Sequence, residues 1–169
     1  MIAPIPANEE ARQEALRHYQ ILDTKAEKIF DDITTLIASI CDTPIALLTF
    51  IDGDRQWIKS ANVTLPVCQT DRNASICAHT ICGRELFVVP DTLLDERFAY
   101  SPFVTGEPHI RFYAGMPLIN RDGYALGALC VIDTAPRQLS EDQKTKIRAL
   151  AQSAMLLLEI RAGGVGARA

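Results

Sequence analysis

The sequence lacks the features that would place a protein in a membrane or direct it out of the cell. It has no run of about 18 consecutive apolar residues, which a membrane-spanning helix needs. Its first residues, MIAPIPANEE, lack the basic start and apolar stretch of a secretory signal. Positive charge is not in excess either, because 17 Lys and Arg against 21 Asp and Glu give a net charge of −4. We therefore expect a cytoplasmic protein with no nucleic-acid or membrane partner.

Aromatic residues are few, at 7% of the chain, and the cysteines form no recognisable motif. The five cysteines are odd in number and form no CxxC pair, so we expect free thiols rather than a disulfide framework. Cys77 and His79 are two residues apart and would point in nearly opposite directions on a helix, which predicts no metal site. With 169 residues, 48% of them hydrophobic, the chain has the size and composition of one domain with an ordinary core.

Periodicity and capping signals divide the chain into helices and strands. Helices are predicted from residue 9, from the capping box TKAE at 24–27 and from the capping box SEDQ at 140–143, the last one ending at Gly163 and Gly164. The predicted strands are 45–51, 56–60, 86–89, 111–119 and 124–133. Consecutive hairpins require an antiparallel sheet, and helices from both ends of the chain packed on one face of it make the fold α+β.

The middle of the chain is irregular, apart from a short helix over 76–83 that Ser75 could cap. The long strands are apolar on both alternating faces, so both faces of the sheet need a cover. The helices suffice for one face, which leaves the other to the segment 68–110. Since this segment has few large side chains, we predict a partly enclosed pocket between it and the sheet.

Six stretches carry a family resemblance: YQILDT at 19–24, FIDGDRQWIKS at 50–60, SICAHTI at 75–81, VVPDTLLDERF at 88–98, RFYAGMPL at 111–118 and LGALCVIDTAPRQLS at 126–140. In this order they resemble the GAF domain, a small-ligand sensory module of bacterial signalling proteins. The subgroup they resemble most stands at the N-terminus of diguanylate cyclases and sensor histidine kinases. The resemblance covers residues 9–161, which leaves 1–8 as a leader and 162–169 as a flexible tail.

The resemblance implies a GAF/PAS-like sheet with the terminal helices on one face and a roof of loops and short helices over a ligand pocket on the other. It also implies dimerisation through the terminal helices, which would pass a signal to an output domain or signalling partner. The widened apolar stripe at 155–158 independently favours a homodimer. The expected function is non-catalytic sensing of an unidentified small molecule, and the motifs indicate no particular cofactor.

Eight residues are candidates for the ligand site: Cys77, His79, Asp91, Phe98, Arg111, Phe112, Tyr113 and Cys130. On the short helix, Cys77 and His79 either contact the ligand or are simply buried and hydrogen-bonded. Asp91 either contacts a polar ligand or caps a local helix.

Strand alternation leaves the orientation of the central strand open. Arg111 and Tyr113 face one way and Phe112 the other, so either orientation brings an aromatic ring to the ligand. Arg111 in the pocket would favour an anion, whereas at the strand end it would lie in solvent or pair with an aspartate. Gly115 and Gly127 indicate a close approach of backbone or ligand.

Two other functions stay open at this point. GAF-fold enzymes reduce free methionine sulfoxide with cysteines near the pocket, and Cys82-Gly83 followed by VVPD at 88–91 is similar to them. That family's later catalytic cysteine has no counterpart in 92–110, so we predict no catalytic residue. The other alternative is a purely structural dimerisation domain whose pocket is filled by its own side chains.

Overall fold

Six β-strands form the centre of the structure, a computed structural model that describes residues 2–166. The strands are β1 (Ile45–Asp52), β2 (Arg55–Ala61), β3 (Gln69–Asp71), β4 (Phe87–Val89), β5 (Phe112–Ile119) and β6 (Ala125–Asp133). The helices are α1 (Glu9–His18), α2 (Lys28–Cys41), α3 (Cys77–Thr80), α4 (Pro102–Thr105) and α5 (Glu141–Gly166). All pairings are antiparallel, in the order β3-β2-β1-β6-β5-β4, which confirms the predicted α+β architecture.

Tight turns close the two hairpins that the sequence predicts. Between β1 and β2, Gly53 adopts a φ of 57°, and between β5 and β6, Gly123 adopts a φ of 87°, a region that glycine enters without a steric penalty. The Asn120 side chain accepts hydrogen bonds from the backbone N–H groups of Asp122 and Tyr124. The turn residues therefore set the register of the central hairpin.

The helices α1, α2 and α5 cover one side of the sheet, which we call the helix face. Its core consists of large apolar side chains from the strands and helices, among them Leu48, Phe50, Phe30, Ile37, Ile147 and Leu158. The other side, which we call the roof face, is covered by irregular chain and short helices between residues 62 and 111, the roof.

Helix ends follow the sequence signals only where the contacts are local. At the start of α5, Ser140 Oγ accepts from Gln143 N–H and Gln143 Oε1 accepts from Ser140 N–H, so that capping box is confirmed. The predicted box at 24–27 is wrong, because α2 begins at Lys28 and the Glu27 side chain makes no capping bond. Instead Glu27 accepts hydrogen bonds from Lys59 and Arg161.

The end of α5 also differs from the prediction. The helix continues through Gly163 and Gly164 to Gly166 rather than ending at the glycine pair. A glycine costs a helix only about 1 kcal/mol relative to alanine, and the earlier turns of α5 are held by packing on the helix face. The remainder of the predicted tail, residues 167–169, lies outside the described residues.

The start of the chain is hydrogen-bonded both to the sheet and to the roof. Arg12 of α1 is fully buried and donates to the backbone carbonyls of Ile51, Ala125 and Leu126. Ala3 is buried as well, and its N–H donates to the Asn73 side chain in the roof at 2.9 Å. The predicted leader therefore packs against the fold.

Candidate functional site

A pocket of about 380 Å³ lies between the sheet and the roof, within the range of roughly 300–1,000 Å³ that small-molecule sites occupy. Alternate residues of the strands form its floor, and the loop at 65–67 and the segment 101–110 form its sides. The wall is mainly apolar, with contributions from Leu47, Ile58, Leu65, Phe103, Ile110 and Ile132. The predicted space under the roof is therefore present.

The polar groups of the pocket are mostly neutral. Ser75 donates to Gln56, and Gln56 donates to Thr70, so these lining side chains already satisfy one another. Among the lining residues, all of which belong to the described part of the chain, Glu107 carries the only charge, and its side chain is 91% exposed. A ligand in this pocket would meet apolar surface and neutral hydrogen-bonding groups rather than a fixed charge.

Tyr113 reaches the pocket because Gly115 makes room for its ring. A Cβ built at Gly115 would lie 2.2 Å from the Tyr113 hydroxyl, so the tyrosine lies flat along β5 where a side chain would otherwise stand. Its hydroxyl lies 2.8 Å from Thr80 Oγ1 and donates to Cys77 Sγ at 3.1 Å. The close approach predicted at Gly115 is thus made by the protein's own phenol.

The thiol that accepts this hydrogen bond, Cys77, lies next to a second thiol, Cys130. Cys77 Sγ and Cys130 Sγ are 3.8 Å apart and fully buried. Burial would raise the pKa of Cys77, but hydrogen bonds from Cys130, Thr49, Tyr113 and Ser75 outweigh it and lower that pKa. The hydrogen bond with Cys77, together with burial, raises the pKa of Cys130 well above its usual value. The pair is therefore asymmetric, and Cys77 is the more acidic of the two thiols.

His79 lies beside the pocket rather than in its wall. Its ring packs edge-on against Phe98 at 4.7 Å between centroids and is nearly parallel to Phe87 at 6.5 Å. Burial and the neighbouring Arg97 lower the pKa of His79. Its Nε2 atom is buried and has no hydrogen-bond partner. Neither His79 nor Phe98, both predicted to contact the ligand, lines the pocket.

Three other candidates make local contacts outside the pocket lining. Asp91 caps the short turn Thr92–Leu94 by accepting from Leu93 N–H at 3.0 Å. Arg111 donates to the carbonyls of Val104 and Ile110 and so fastens α4. Phe112 points to the helix face, which answers the open question of strand orientation in favour of Tyr113.

Most residues of the apolar wall were not predicted from the sequence. Alternation in β2 could have identified Ile58, since its neighbours Trp57 and Lys59 face the other side. Nothing local marks Leu65 or Phe103, because their place in the wall depends on how the roof folds over the sheet.

A second depression of about 800 Å³ lies between α1, the β5–β6 turn and α5. Its polar side chains already pair with one another: Tyr19 donates to Glu159 at 2.5 Å, and Arg121 lies 3.7 Å from the same carboxylate. Burial and the bond to Glu159 raise the pKa of Tyr19 to about 12. The pocket under the roof, with its free apolar wall, is the stronger candidate site.

Two other kinds of feature are absent from residues 2–166. No cluster of three or more His, Cys, Asp or Glu side chains is arranged to hold a metal ion. No helix in the same range is long and apolar enough to cross a bilayer.

Comparison with known proteins connects this architecture to one family. The family model described as GAF domain matches residues 25–158. The chain belongs to the GAF domain family. This GAF domain is 44% identical over 134 residues to the cyclic di-GMP phosphodiesterase PA2567 of Pseudomonas aeruginosa, a match that covers 79% of the chain and 23% of that protein. The chain thus spans about a quarter of the length of this curated relative.

Solved structures agree on the GAF fold. The GAF domain of a Coxiella burnetii phosphoenolpyruvate-protein phosphotransferase superposes with a TM-score of 0.67 at 14% identity, covering 94% of this chain and 99% of that one. The type II free methionine-R-sulfoxide reductase of Thermoplasma acidophilum gives a TM-score of 0.64 at 7% identity, with coverages of 88% and 95%. At such low identities these similarities establish the fold alone.

Proposed function

We propose that this GAF domain is a non-catalytic sensory module that binds a neutral, largely apolar small molecule under the roof. The observation that carries the proposal is the pocket of about 380 Å³, whose wall is apolar and whose one charged lining residue stands at the exposed rim. Burying apolar ligand surface there would contribute about 25 cal/mol per Å². A charged ligand would lose its hydration without meeting an opposite charge.

A neutral fluorescent probe tests binding. We expect N-phenyl-1-naphthylamine to bind the protein with increased fluorescence, and Ile58→Trp, which fills the pocket, to weaken its binding at least about tenfold. Leu94→Trp is the matched control, because Leu94 is 84% exposed and does not line the pocket. Equal binding by wild type and the Ile58 variant would contradict the proposal.

The signal would leave the pocket through β2. Ile58 lines the pocket, and the next residue, Lys59, points to the helix face, where its fully buried ammonium contacts Glu27 at 2.6 Å. Glu27 in turn accepts from Arg161 of α5 at 3.1 Å. We infer that a ligand-induced shift of β2 changes the hold on the last helix.

Hydrogen exchange tests this route. Bound probe should alter exchange in the later turns of α5 in wild type, and this change should be lost in the paired variant Lys59→Met, Glu27→Gln. Substituting both partners avoids leaving one charge buried alone. The exposed Lys28→Met serves as control. If the variant binds the probe and still shows the change in α5, the route is wrong.

Dimerisation would use the outer side of α5. Leu156 and Ile160 lie four residues apart on one side of the helix, and each is 60% exposed. Together they form an apolar stripe that a partner helix could cover. Met155 and Leu158, which belonged to the predicted stripe, are buried in the monomer. The stripe therefore rests on fewer residues than the sequence indicated.

Sedimentation tests the homodimer. We expect wild type to sediment as a dimer and Leu156→Glu to give monomers, because an unpaired carboxylate in an apolar interface is costly. Leu94→Glu makes the same substitution at a leucine of the roof that is 84% exposed, away from α5, and should leave the dimer intact. A wild-type monomer at every accessible concentration would refute this proposal.

The relative's name suggests where the signal is used. We propose that this GAF domain regulates cyclic di-GMP turnover, supported by its 44% identity to a segment of a cyclic di-GMP phosphodiesterase. The test replaces the matching segment of that enzyme with this chain and measures cyclic di-GMP hydrolysis with and without the probe. A probe-dependent rate that disappears with Ile58→Trp is expected, and a rate unaffected by the probe would contradict the proposal.

A further inference from the structure

The roof face contains two thiol groups in contact, an arrangement that packing alone does not require. Cys77 and Cys130 come from different elements, α3 and β6, and their sulfurs lie 3.8 Å apart. A disulfide bond is about 2.0 Å long, so the sulfurs would have to approach by about 1.8 Å. The other thiols are placed differently: Cys41 lies on the helix face, and Cys68 and Cys82 are exposed.

Cys77 also lies where a bound molecule could reach it. It lines the pocket, whereas Cys130 does not. The Tyr113 hydroxyl donates to the Cys77 sulfur, which in the neutral pair donates to Cys130. A Cys77 thiolate can only accept, and Cys130 would then be the donor between the two sulfurs. The pocket therefore presents one hydrogen-bonded nucleophile, with a second thiol directly behind it.

We propose that Cys77 is an oxidation site for an apolar organic hydroperoxide that enters the pocket, with Cys130 as the resolving thiol. The proposal rests on the pocket being a binding site, as the proposed function holds, and it assigns that site a substrate class. The apolar wall favours an alkyl or aryl hydroperoxide over hydrogen peroxide, which is polar and gains nothing from burial there.

The chemistry balances with the hydroperoxide as the oxidant. The Cys77 thiolate attacks the terminal peroxide oxygen, an S–O bond forms, the O–O bond breaks, and the alkoxide takes up the proton that Cys77 released. Cys77 is thereby oxidised by two electrons to the sulfenic acid while the hydroperoxide is reduced to the alcohol. The Cys130 sulfur then attacks Cys77, the S–S bond forms, and hydroxide leaves with the Cys130 proton as water.

The test uses the full chain with Cys68→Ser and Cys82→Ser, which removes the exposed thiols. One equivalent of cumene hydroperoxide should cause the loss of two hydrogen atoms from the intact mass, with the link mapped to Cys77 and Cys130. This oxidation should be at least about tenfold faster than with hydrogen peroxide, because the apolar peroxide is concentrated in the pocket. Cys41→Ser should change neither result.

Single variants assign the roles of the two thiols. Cys130→Ala should stop at a Cys77 sulfenic acid that dimedone traps, and Cys77→Ser should give neither adduct nor disulfide. Circular dichroism and the urea midpoint establish that each variant is folded, and Cys130→Ser provides a second resolving-thiol variant if the alanine variant unfolds. A dimedone adduct on another cysteine, or a disulfide in the Cys77 variant, would overturn the assignment.

Probe binding in the same samples separates this proposal from the function it rests on. If N-phenyl-1-naphthylamine binds and Cys77 stays reduced, the oxidation proposal is wrong while the binding function stands. If the probe does not bind, the proposed function is wrong. Equal oxidation rates with both peroxides would overturn the pocket as the route, and with it this inference.

Discussion

The two faces of the sheet are built from the same strands and differ in what covers them. On the helix face, three regular helices fill the space with large apolar side chains. On the roof face, helices of four residues and irregular chain leave a pocket of about 380 Å³. Long helices present a continuous apolar side, whereas a roof of loops can approach the sheet only where single residues allow it. The irregular cover is therefore the one that leaves room for a ligand.

The largest expected effect is on the sheet that both faces share. A Cβ at Gly127 would lie 1.8 Å from the Thr49 carbonyl oxygen, a backbone atom that cannot move without breaking the β1–β6 pairing. Gly127→Ala should lower the free energy of unfolding by at least about 3 kcal/mol, measured by urea denaturation. Gly83→Ala, where nothing lies within 4 Å, is the control. A stable Gly127 variant would show that the strands separate more easily than the structure indicates.

Substitution of two neighbouring leucines on β1 allows the contribution of each face to stability to be compared directly. Leu48 packs in the helix-face core, and Leu47 lines the pocket on the roof face. Leu48→Ala should cost about 3 kcal/mol of unfolding free energy, because it opens a cavity in a filled core. Leu47→Ala should cost about 1–2 kcal/mol, because its side chain already borders empty space. Equal losses in urea denaturation would mean that the roof closes over the sheet as tightly as the helices do.

Acid should loosen the contact between α1 and the roof. Burial alone would raise the pKa of Glu9, but hydrogen bonds from Arg12 and Arg72 outweigh it and lower the pKa from 4.5 to about 2. The carboxylate therefore stabilises the fold above pH 4.5, and this contribution is lost as pH falls toward 2.

The expected loss is about 1–2 kcal/mol, since Glu9 is partly exposed to solvent. Urea denaturation at pH 6 and at pH 3 measures it. Glu9→Gln should remove this part of the pH dependence, and the exposed Glu10→Gln should retain it. An unchanged acid profile in the Glu9 variant would contradict the prediction.

A weaker pH effect is expected inside the roof. Burial first, and then Arg97, lower the pKa of His79 from 6.5, with Asp95 opposing. The folded state therefore prefers neutral His79, and stability should fall as pH drops below 6.5, by less than about 1 kcal/mol because the residue is only partly buried. Denaturation at pH 7.5 and 5.5, compared between wild type and His79→Gln, measures the difference. Identical profiles would show that protonated His79 is tolerated.

The sequence predicted the helix face well because its signals are local. The capping box at Ser140 and the turn at Gly123 each depend on residues within four positions, and apolar alternation marks strands wherever they pair. Glu27 shows the limit: its capping signal was overridden by Lys59, which is 32 positions away. A local capping preference is not realised where an ion pair with a distant, buried lysine uses the same side chain.

The candidate site was predictable only in part. Cys77 and Tyr113 were identified from a helix and a strand that the sequence marks, and both line the pocket. Asp91 and Arg111 looked like ligand contacts because they are polar, yet both bind nearby backbone atoms, a use of polar side chains that sequence alone does not separate from ligand binding.

The buried Arg12 has a consequence for anyone who wishes to move this sensor into a chimeric receptor. The family match begins at residue 25, yet three strand carbonyls depend on a guanidinium thirteen positions earlier. A transplanted segment cut at the match would leave these carbonyls without their donor and remove Leu16 and Tyr19 from the core, each orphaned group costing about 1–3 kcal/mol. The portable unit therefore includes α1, and a fusion joint belongs ahead of that helix.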